Sequence, residues 1–118
     1  MTEQAQMQIG MPPAWLAELI EEIEAQRCDA IYTFVDEQDK KLDKVGLRLE
    51  LGGEEIRWAK LLFEAGVHAG VHLFVHLVVD AIKRIYRKHV ASGRKLPEFI
   101  EYVGPDGRRQ RIKPSDLN

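Results

Sequence analysis

The stretch from residue 54 to residue 90 constrains the fold most, because its side chains repeat with the period of an α-helix. When every fourth residue is taken, the rows that start at Ala65, Gly66 and Val67 remain apolar as far as Val79. Acidic residues at the start of the stretch and basic residues at its end complement a helix dipole. The sequence therefore predicts one long helix that is buried on most of its circumference.

A helix with three apolar rows out of four needs more cover than a chain of 118 residues readily supplies. A partner subunit is the natural source of that cover, so we predict a homo-oligomer that forms through the long helix. Gly66 and Gly70 stand four residues apart in one row and allow a second backbone to approach closely. Phe74 follows in the same row, and these three residues form the predicted oligomer interface.

The fourth row of this helix is polar and contains His68, His72 and His76 between Glu64 and Asp80. Histidines four apart place both imidazoles on one side of a helix, a spacing found in helical zinc sites. The row therefore offers a site for zinc or another transition metal, with either carboxylate as an oxygen ligand or outer acceptor. The three histidines span about 80° of the helix, so one ion does not take all three. A pH-responsive interface and a plain polar stripe remain open as alternatives, and the stripe is the preferred interpretation because no HExxH motif completes a site.

The N-terminal part of the chain contains a tail and a first helix. Residues 1–11 are polar and show no period, so we expect a flexible tail. Pro12 and Pro13 then stand where a helix start tolerates proline. The amphipathic helix that follows has an acidic outer face and ends near Arg27 or Cys28. No linker divides residues 12–118, which are predicted to form a single α+β domain.

Two hairpins complete the predicted fold. Residues 30–36 are rich in β-branched and aromatic side chains, and residues 44–51 alternate between apolar and polar, so they predict a hairpin. A helix in this region remains an alternative, because four apolar residues fit one helix face. They are Ile31, Phe34, Leu42 and Val45. Near the C-terminus, residues 99–103 and 109–112 flank the turn sequence Gly-Pro-Asp-Gly, which predicts a second, short hairpin. The expected class is therefore α+β: an N-terminal amphipathic helix, a hairpin, a long central helix and a C-terminal hairpin.

The two halves of the chain carry opposite charge. Residues 1–56 contain 5 lysines and arginines against 13 acidic residues, whereas residues 57–118 contain 12 against 6. The predicted basic surface comes from the C-terminal half: Lys83, Arg84, Arg87, Lys88, Arg94, Lys95, Arg108, Arg109 and Arg111, with Lys113 beside them. Such a surface can neutralise phosphates. Alternatively, it pairs with the acidic first helix of the same or a neighbouring subunit.

Several classes of function lack the residues they need. The single cysteine, Cys28, rules out an intramolecular disulfide and zinc sites with several cysteines. No glycine-rich phosphate loop is present, and serine and threonine total four, which leaves few hydroxyl nucleophiles. The best membrane candidate, residues 65–79, is shorter than the roughly 20 residues that a span requires. No secretory signal is recognisable at the N-terminus, so we expect a cytoplasmic location and no membrane partner.

The sequence predicts a small, non-enzymatic binding or regulatory protein of the adaptor or inhibitor type. It acts as a homo-oligomer, and its basic C-terminal face contacts a protein or a small polyanionic ligand. Two alternatives remain open. One is a helical metal-binding protein, with a metal-dependent hydrolase as its enzymatic form, that uses His68, His72 and His76. The other is a nucleic-acid-binding protein, supported by the clustering of charge. No cofactor other than that metal is expected.

Overall fold

The computed structural model of the chain describes residues 3–26, 31–49, 55–65, 70–93 and 96–113. Its elements, in chain order, are β1 (Glu3–Met11), α1 (Pro13–Ala25), β2 (Ile31–Val35), α2 (Lys44–Arg48), β3 (Arg57–Ala65), α3 (Gly70–Ala91), β4 (Ile100–Val103) and β5 (Arg109–Ile112). The five strands form one antiparallel sheet in the order β2-β3-β1-β4-β5. The predicted α+β class is confirmed.

The first strand lies at the centre of the sheet, so the expectation of a flexible tail over residues 1–11 is wrong for residues 3–11. β1 pairs with β3 along its whole length and with β4 near its end. Its side chains alternate with period two, as in a strand with one buried face. Met7, Ile9 and Met11 point into the core, and Gln4, Gln6 and Gln8 occupy exposed positions on the other face, followed by Gly10. Buried apolar residues at every second position hold this polar segment in the sheet.

The predicted long helix is divided into a strand and a shorter helix. Residues 57–65 form β3, and α3 begins only at Gly70. Two residues four apart share one face of a strand as well as one face of a helix. Lys60 and Glu64 therefore fit both structures, and the spacing could not separate them. Leu61 and Phe63 alternate with these residues and are buried, as a half-buried strand requires.

The helix α3 packs its apolar side onto the sheet. Its first residue, Gly70, is one of the two glycines that were predicted to lie at the oligomer interface. Gly70 has a φ of 70°, a backbone conformation that residues with a side chain adopt only with steric strain. The backbone at the start of the helix is therefore sufficient reason for a glycine at this position. Phe74 is buried in the core of its own chain, with its ring 4.4 Å from that of Phe63. It is therefore not available as the predicted oligomer contact. Gly66 lies outside the described residues.

The helix α1 confirms the predicted amphipathic helix. The residues of its apolar stripe, Trp15, Leu16, Leu19, Ile20 and Ile23, are all buried. The carbonyl of Pro12 accepts hydrogen bonds from the first turn, since the prolines start the helix. α1 packs against α3 on the inner side of the sheet, and α2 packs against α1.

The segment that follows β2 forms a helix where the second strand of a hairpin was predicted. β2 lies within the predicted range 30–36, but its partner is β3. The expected strand over residues 44–51 is wrong for residues 44–48, which form α2. Asp43 caps this short helix by accepting a hydrogen bond of 2.7 Å from the backbone N–H of Gly46. The helical alternative for this region is therefore correct for α2, though not for β2.

The C-terminal hairpin of β4 and β5 is confirmed. Its turn contains Gly107 with a φ of 80°, and Gly104 donates its N–H to the carbonyl of Arg108. β5 is an edge strand of the sheet. Within the described ranges, no helix is long and apolar enough to cross a membrane.

Candidate functional site

The outer face of the sheet, opposite α1 and α3, carries many of the polar side chains of the described strands. Strand alternation places β1 glutamines at its centre, Lys60 and Leu62 of β3 beside them, and β5 arginines at one end. Antiparallel sheets commonly keep one face in solvent in this way. The outer face therefore presents its side chains directly to a ligand.

Trp58 lies across the centre of this face because residue 10 has no side chain. The two residues are register partners on β3 and β1. A Cβ atom at Gly10 would lie 3.0 Å from two carbons of the indole ring, closer than van der Waals contact allows. Gly10 thus leaves the room in which the indole ring packs on the backbone of the central strand.

Two arginines of β5 lie beside aromatic rings on the same face. The guanidinium carbon of Arg109 is 5.8 Å from the ring centroid of Trp58, and that of Arg111 is 4.5 Å from the ring centroid of Phe99. Both distances lie in the range of cation–π contacts. We call the set of Trp58, Phe99, Glu101, Arg109 and Arg111 the outer-face cluster.

Glu101 of β4 connects the two arginines. Its carboxylate accepts a hydrogen bond of 2.9 Å from Nε of Arg111 and lies 3.7 Å from Nη1 of Arg109. The Glu101 side chain is only 11% exposed, whereas those of Arg109 and Arg111 are 65% and 55% exposed. One recessed carboxylate therefore orients two exposed cations and leaves the outer-face cluster with net positive charge.

A shallow cavity adjoins the outer-face cluster on its β3 side. It has a volume of about 280 Å³, and its lining includes Trp58, Lys60, Gln8 and Arg109. The ammonium group of Lys60 lies 3.1 Å from a carboxylate oxygen of Asp39 in the loop after β2. The lining also includes the carboxylate of Glu37. The cavity thus combines an aromatic ring, an amide, two cations and one carboxylate, and Arg109 is the cation on its β5 side that can bind an anion carrying a planar group.

Two basic residues of α3, Arg84 and Lys88, contact one carboxylate within the chain. Glu22 of α1 lies 3.3 Å from Nε of Arg84 and accepts a hydrogen bond of 2.9 Å from Nζ of Lys88. The hydrogen bond from Lys88 is the main reason that the pKa of Glu22 lies below its usual value, and Arg84 adds to the effect. The same contact raises the pKa of Lys88. This is the acidic–basic pairing that the charge split offered as an alternative.

The predicted single basic surface is therefore wrong, because its members lie on two sides of the sheet. Arg109 and Arg111 are on the outer face, whereas Lys83, Arg84 and Lys88 are on α3. Two further residues of the predicted basic surface belong to neither of these two groups. Arg87 is exposed on α3, and Arg108 lies in the turn, 3.6 Å from Asp106. Arg94 and Lys95 lie outside the described residues.

The predicted metal-binding row is brought together only in part. His72 and His76 are exposed on α3, and their Nε2 atoms are 3.3 Å apart. Glu64 lies on β3, where it accepts a hydrogen bond of 2.8 Å from Gln4, so it does not share a helix with His72 and His76. Asp80 is exposed on the same helix, and His68 lies outside the described residues.

A buried cluster between α1 and α3 was not predicted. His89 stacks on Trp15 at 4.3 Å between centroids, and its Nε2 lies 3.0 Å from a carboxylate oxygen of Glu18. Tyr86 meets the same indole edge-on at 5.0 Å. The sequence did contain a signal for this cluster. Trp15 and Glu18 are three residues apart, and so are Tyr86 and His89, which places each pair on one side of its helix. This cluster joins the two helices that support the sheet.

No family model matches the chain, and no curated protein or solved structure matches it either. The function is therefore argued from the geometry of the described residues.

Proposed function

We propose that this chain is a non-enzymatic binding module whose outer-face cluster contacts a polyanionic ligand, with single-stranded nucleic acid as the favoured class. The observation that carries the proposal is the pairing of each β5 arginine with an aromatic ring on a sheet face that no described helix covers. Proteins bind single strands by combining cations for the backbone with rings or guanidinium planes on which bases stack.

The hydrogen-bonding capacity of the cluster supports an anionic ligand. Each guanidinium carries five N–H donors, and the two oxygens of Glu101 engage only part of that set. The remaining donors are available to phosphate oxygens, which guanidinium groups bind in a bidentate manner. Because Glu101 and the rings already fix the arginines, binding costs less side-chain entropy than it would for free side chains.

The experiment measures the binding of a labelled single-stranded oligonucleotide of about 15 nucleotides by fluorescence anisotropy at several salt concentrations. If both arginines contact phosphates, the slope of log K against log salt is about −1.4, at roughly −0.7 per contact. The double variant Arg109→Ala/Arg111→Ala loses that slope and most of the affinity. Arg87→Ala is the matched control for each single variant, Arg109→Ala or Arg111→Ala, because it removes one positive charge from α3, and it should leave binding unchanged.

Competition with inorganic polyphosphate tests the role of the bases. Stacking on Trp58 predicts that the oligonucleotide binds more tightly than polyphosphate of similar length and quenches Trp58 fluorescence. Equal affinities for the oligonucleotide and for polyphosphate would mean that the cluster binds polyanions through their phosphates alone, with no contribution from the bases. Oligonucleotide binding that is absent at low salt, or equal in Arg87→Ala and in the double variant, contradicts it.

The homo-oligomer and the cytoplasmic location remain parts of this proposal. With Phe74 buried, the apolar side chains that support self-association are Ile31 and Leu62, which are exposed together near the β2 edge of the outer face. This end of the face is well removed in strand order from β5. An oligomer formed there keeps the outer-face cluster accessible to its ligand.

A further inference from the structure

Two imidazoles on the first half of α3 approach each other closely. The Nε2 atoms of His72 and His76 are 3.3 Å apart, and the ring centroids are 4.7 Å apart with the rings nearly perpendicular. Both side chains are exposed. The helix that carries them is held from its other side by Phe74 and Val78, which are buried in the core. The helix beneath the pair is therefore anchored to the core.

The separation of the two nitrogens fits a shared metal ion. Zinc–imidazole bonds are about 2.0–2.1 Å long, so two nitrogens on one tetrahedral ion stand roughly 3.3–3.4 Å apart. A direct N–H···N hydrogen bond is usually shorter than the observed 3.3 Å. The pair thus has the nitrogen separation that two imidazole ligands have on one tetrahedral ion.

We propose that His72 and His76 bind one divalent transition-metal ion through their Nε2 atoms. Imidazole nitrogens suit zinc, copper and nickel, whereas calcium and magnesium require oxygen ligands. Among the residues that the structure describes, no group of three or more histidine, cysteine, aspartate or glutamate side chains is arranged to hold an ion. The described residues therefore supply two ligands, and water can fill the other positions.

The surroundings of His72 leave room for those waters. A cavity of about 560 Å³ lies between the first turn of α3 and the turn of the C-terminal hairpin, and His72 lines it together with Tyr102 and Asp106. Asp106 is engaged by Arg108, whose backbone N–H donates to it at 3.0 Å. Solvent molecules in the cavity can reach an ion at the histidine pair without displacing core side chains.

Isothermal titration of the tag-free protein with Zn²⁺ tests the site directly. We expect one ion per chain and a rise in the melting temperature, because an ion that binds only the folded chain stabilises it. His72→Gln and His76→Gln should each weaken Zn²⁺ binding at least tenfold, since even the loss of an outer-shell partner costs about 10–100-fold. Titration with Co²⁺ gives a second readout, in which the visible absorption of the bound ion disappears in both variants.

Asp80→Asn is the matched control, because it changes one exposed side chain of the same row. It should keep the affinity of the unaltered chain. Unchanged Zn²⁺ binding in His72→Gln, or its loss in Asp80→Asn, would overturn the assignment. The titration contains no nucleic acid and the pair lies on α3, so its result is independent of the outer-face proposal.

Discussion

Replacement of Tyr86 by phenylalanine should change how stability depends on alkaline pH. Tyr86 is fully buried, and its hydroxyl donates a hydrogen bond of 2.9 Å to the carbonyl of Pro97. Burial raises its pKa from 10.0 to about 12. Pro97 leads into Phe99 and β4, so the same hydrogen bond ties the outer-face cluster to α3.

The sign and size of the effect follow from that pKa. Between pH 10 and about 12 the unfolded chain loses this proton while the folded chain keeps it, so the free energy of unfolding falls as the pH rises. Below pH 10 the contribution is constant. At about 1.36 kcal/mol per pKa unit, the loss across the window is at most about 2.7 kcal/mol. Phenylalanine cannot ionise, and its cost at neutral pH is about 1 kcal/mol, from the lost hydrogen bond.

The two stability curves should therefore cross near pH 11, roughly where the loss in the unaltered chain exceeds the cost of the substitution. Urea denaturation at intervals from about pH 8 to about pH 12 measures both curves. The difference between them isolates Tyr86, because the other tyrosines and the lysines titrate equally in both proteins. A difference that stays constant across this range would refute the reasoning.

Three further predictions concern other parts of the structure. Gly10→Ala should displace the Trp58 ring, which a shift in tryptophan emission and weaker oligonucleotide binding would show, whereas unchanged emission would contradict the packing argument. Glu22→Gln should lower stability at neutral pH by about 1 kcal/mol. Because the pKa of Glu22 is lowered, that stabilisation is present above pH 4.5 and is lost as the pH falls below it, so acid denaturation should show the two proteins converging. Light scattering should show an oligomer that Ile31→Lys or Leu62→Lys dissociates, and a monomeric unaltered chain would exclude it.

The elements that were predicted correctly have local causes. α1 follows from two prolines and a 3–4 apolar spacing, and the C-terminal hairpin follows from its Gly-Pro-Asp-Gly turn. The second half of the long helical stretch is α3, with basic residues in its last turn. In each case the decisive residues lie within one element, so no knowledge of the rest of the chain was needed.

The elements that were missed depend on partners distant in sequence. Residues 44–51 alternate like a strand, yet Val45 and Leu49 are 67% and 73% exposed, and only Leu47 of α2 is buried. Asp43 with Gly46 was the local signal for a capped helix. The glutamines of β1 make this segment polar on average, so its period-two pattern was not recognised. Pairing with β3 and β4 makes the segment a central strand.

The sequence predicted the charged residues of the candidate site but not the aromatic rings beside them. Arg109 and Arg111 stand out by charge, and both lie in the outer-face cluster. Trp58 was assigned to a helix, which would have placed it far from β5. Its contact with Arg109 crosses the intervening strands β1 and β4, because Gly10 lets the ring lie flat there. Such a contact depends on sheet order, which the sequence pattern does not specify.

The distribution of charge in the folded chain differs from its distribution along the sequence for a physical reason. Acidic residues of α1 and basic residues of α3 face each other across two packed helices, so Glu22 neutralises cations of α3 within the same chain. Arg48 of α2 pairs with Glu21 in the same way. These contacts neutralise Glu21 and Glu22 within the chain. The outer face has no helix in the described chain to neutralise it, and there one carboxylate serves two arginines. A chain with a net charge of −2 can therefore attract a polyanion at one end of its sheet.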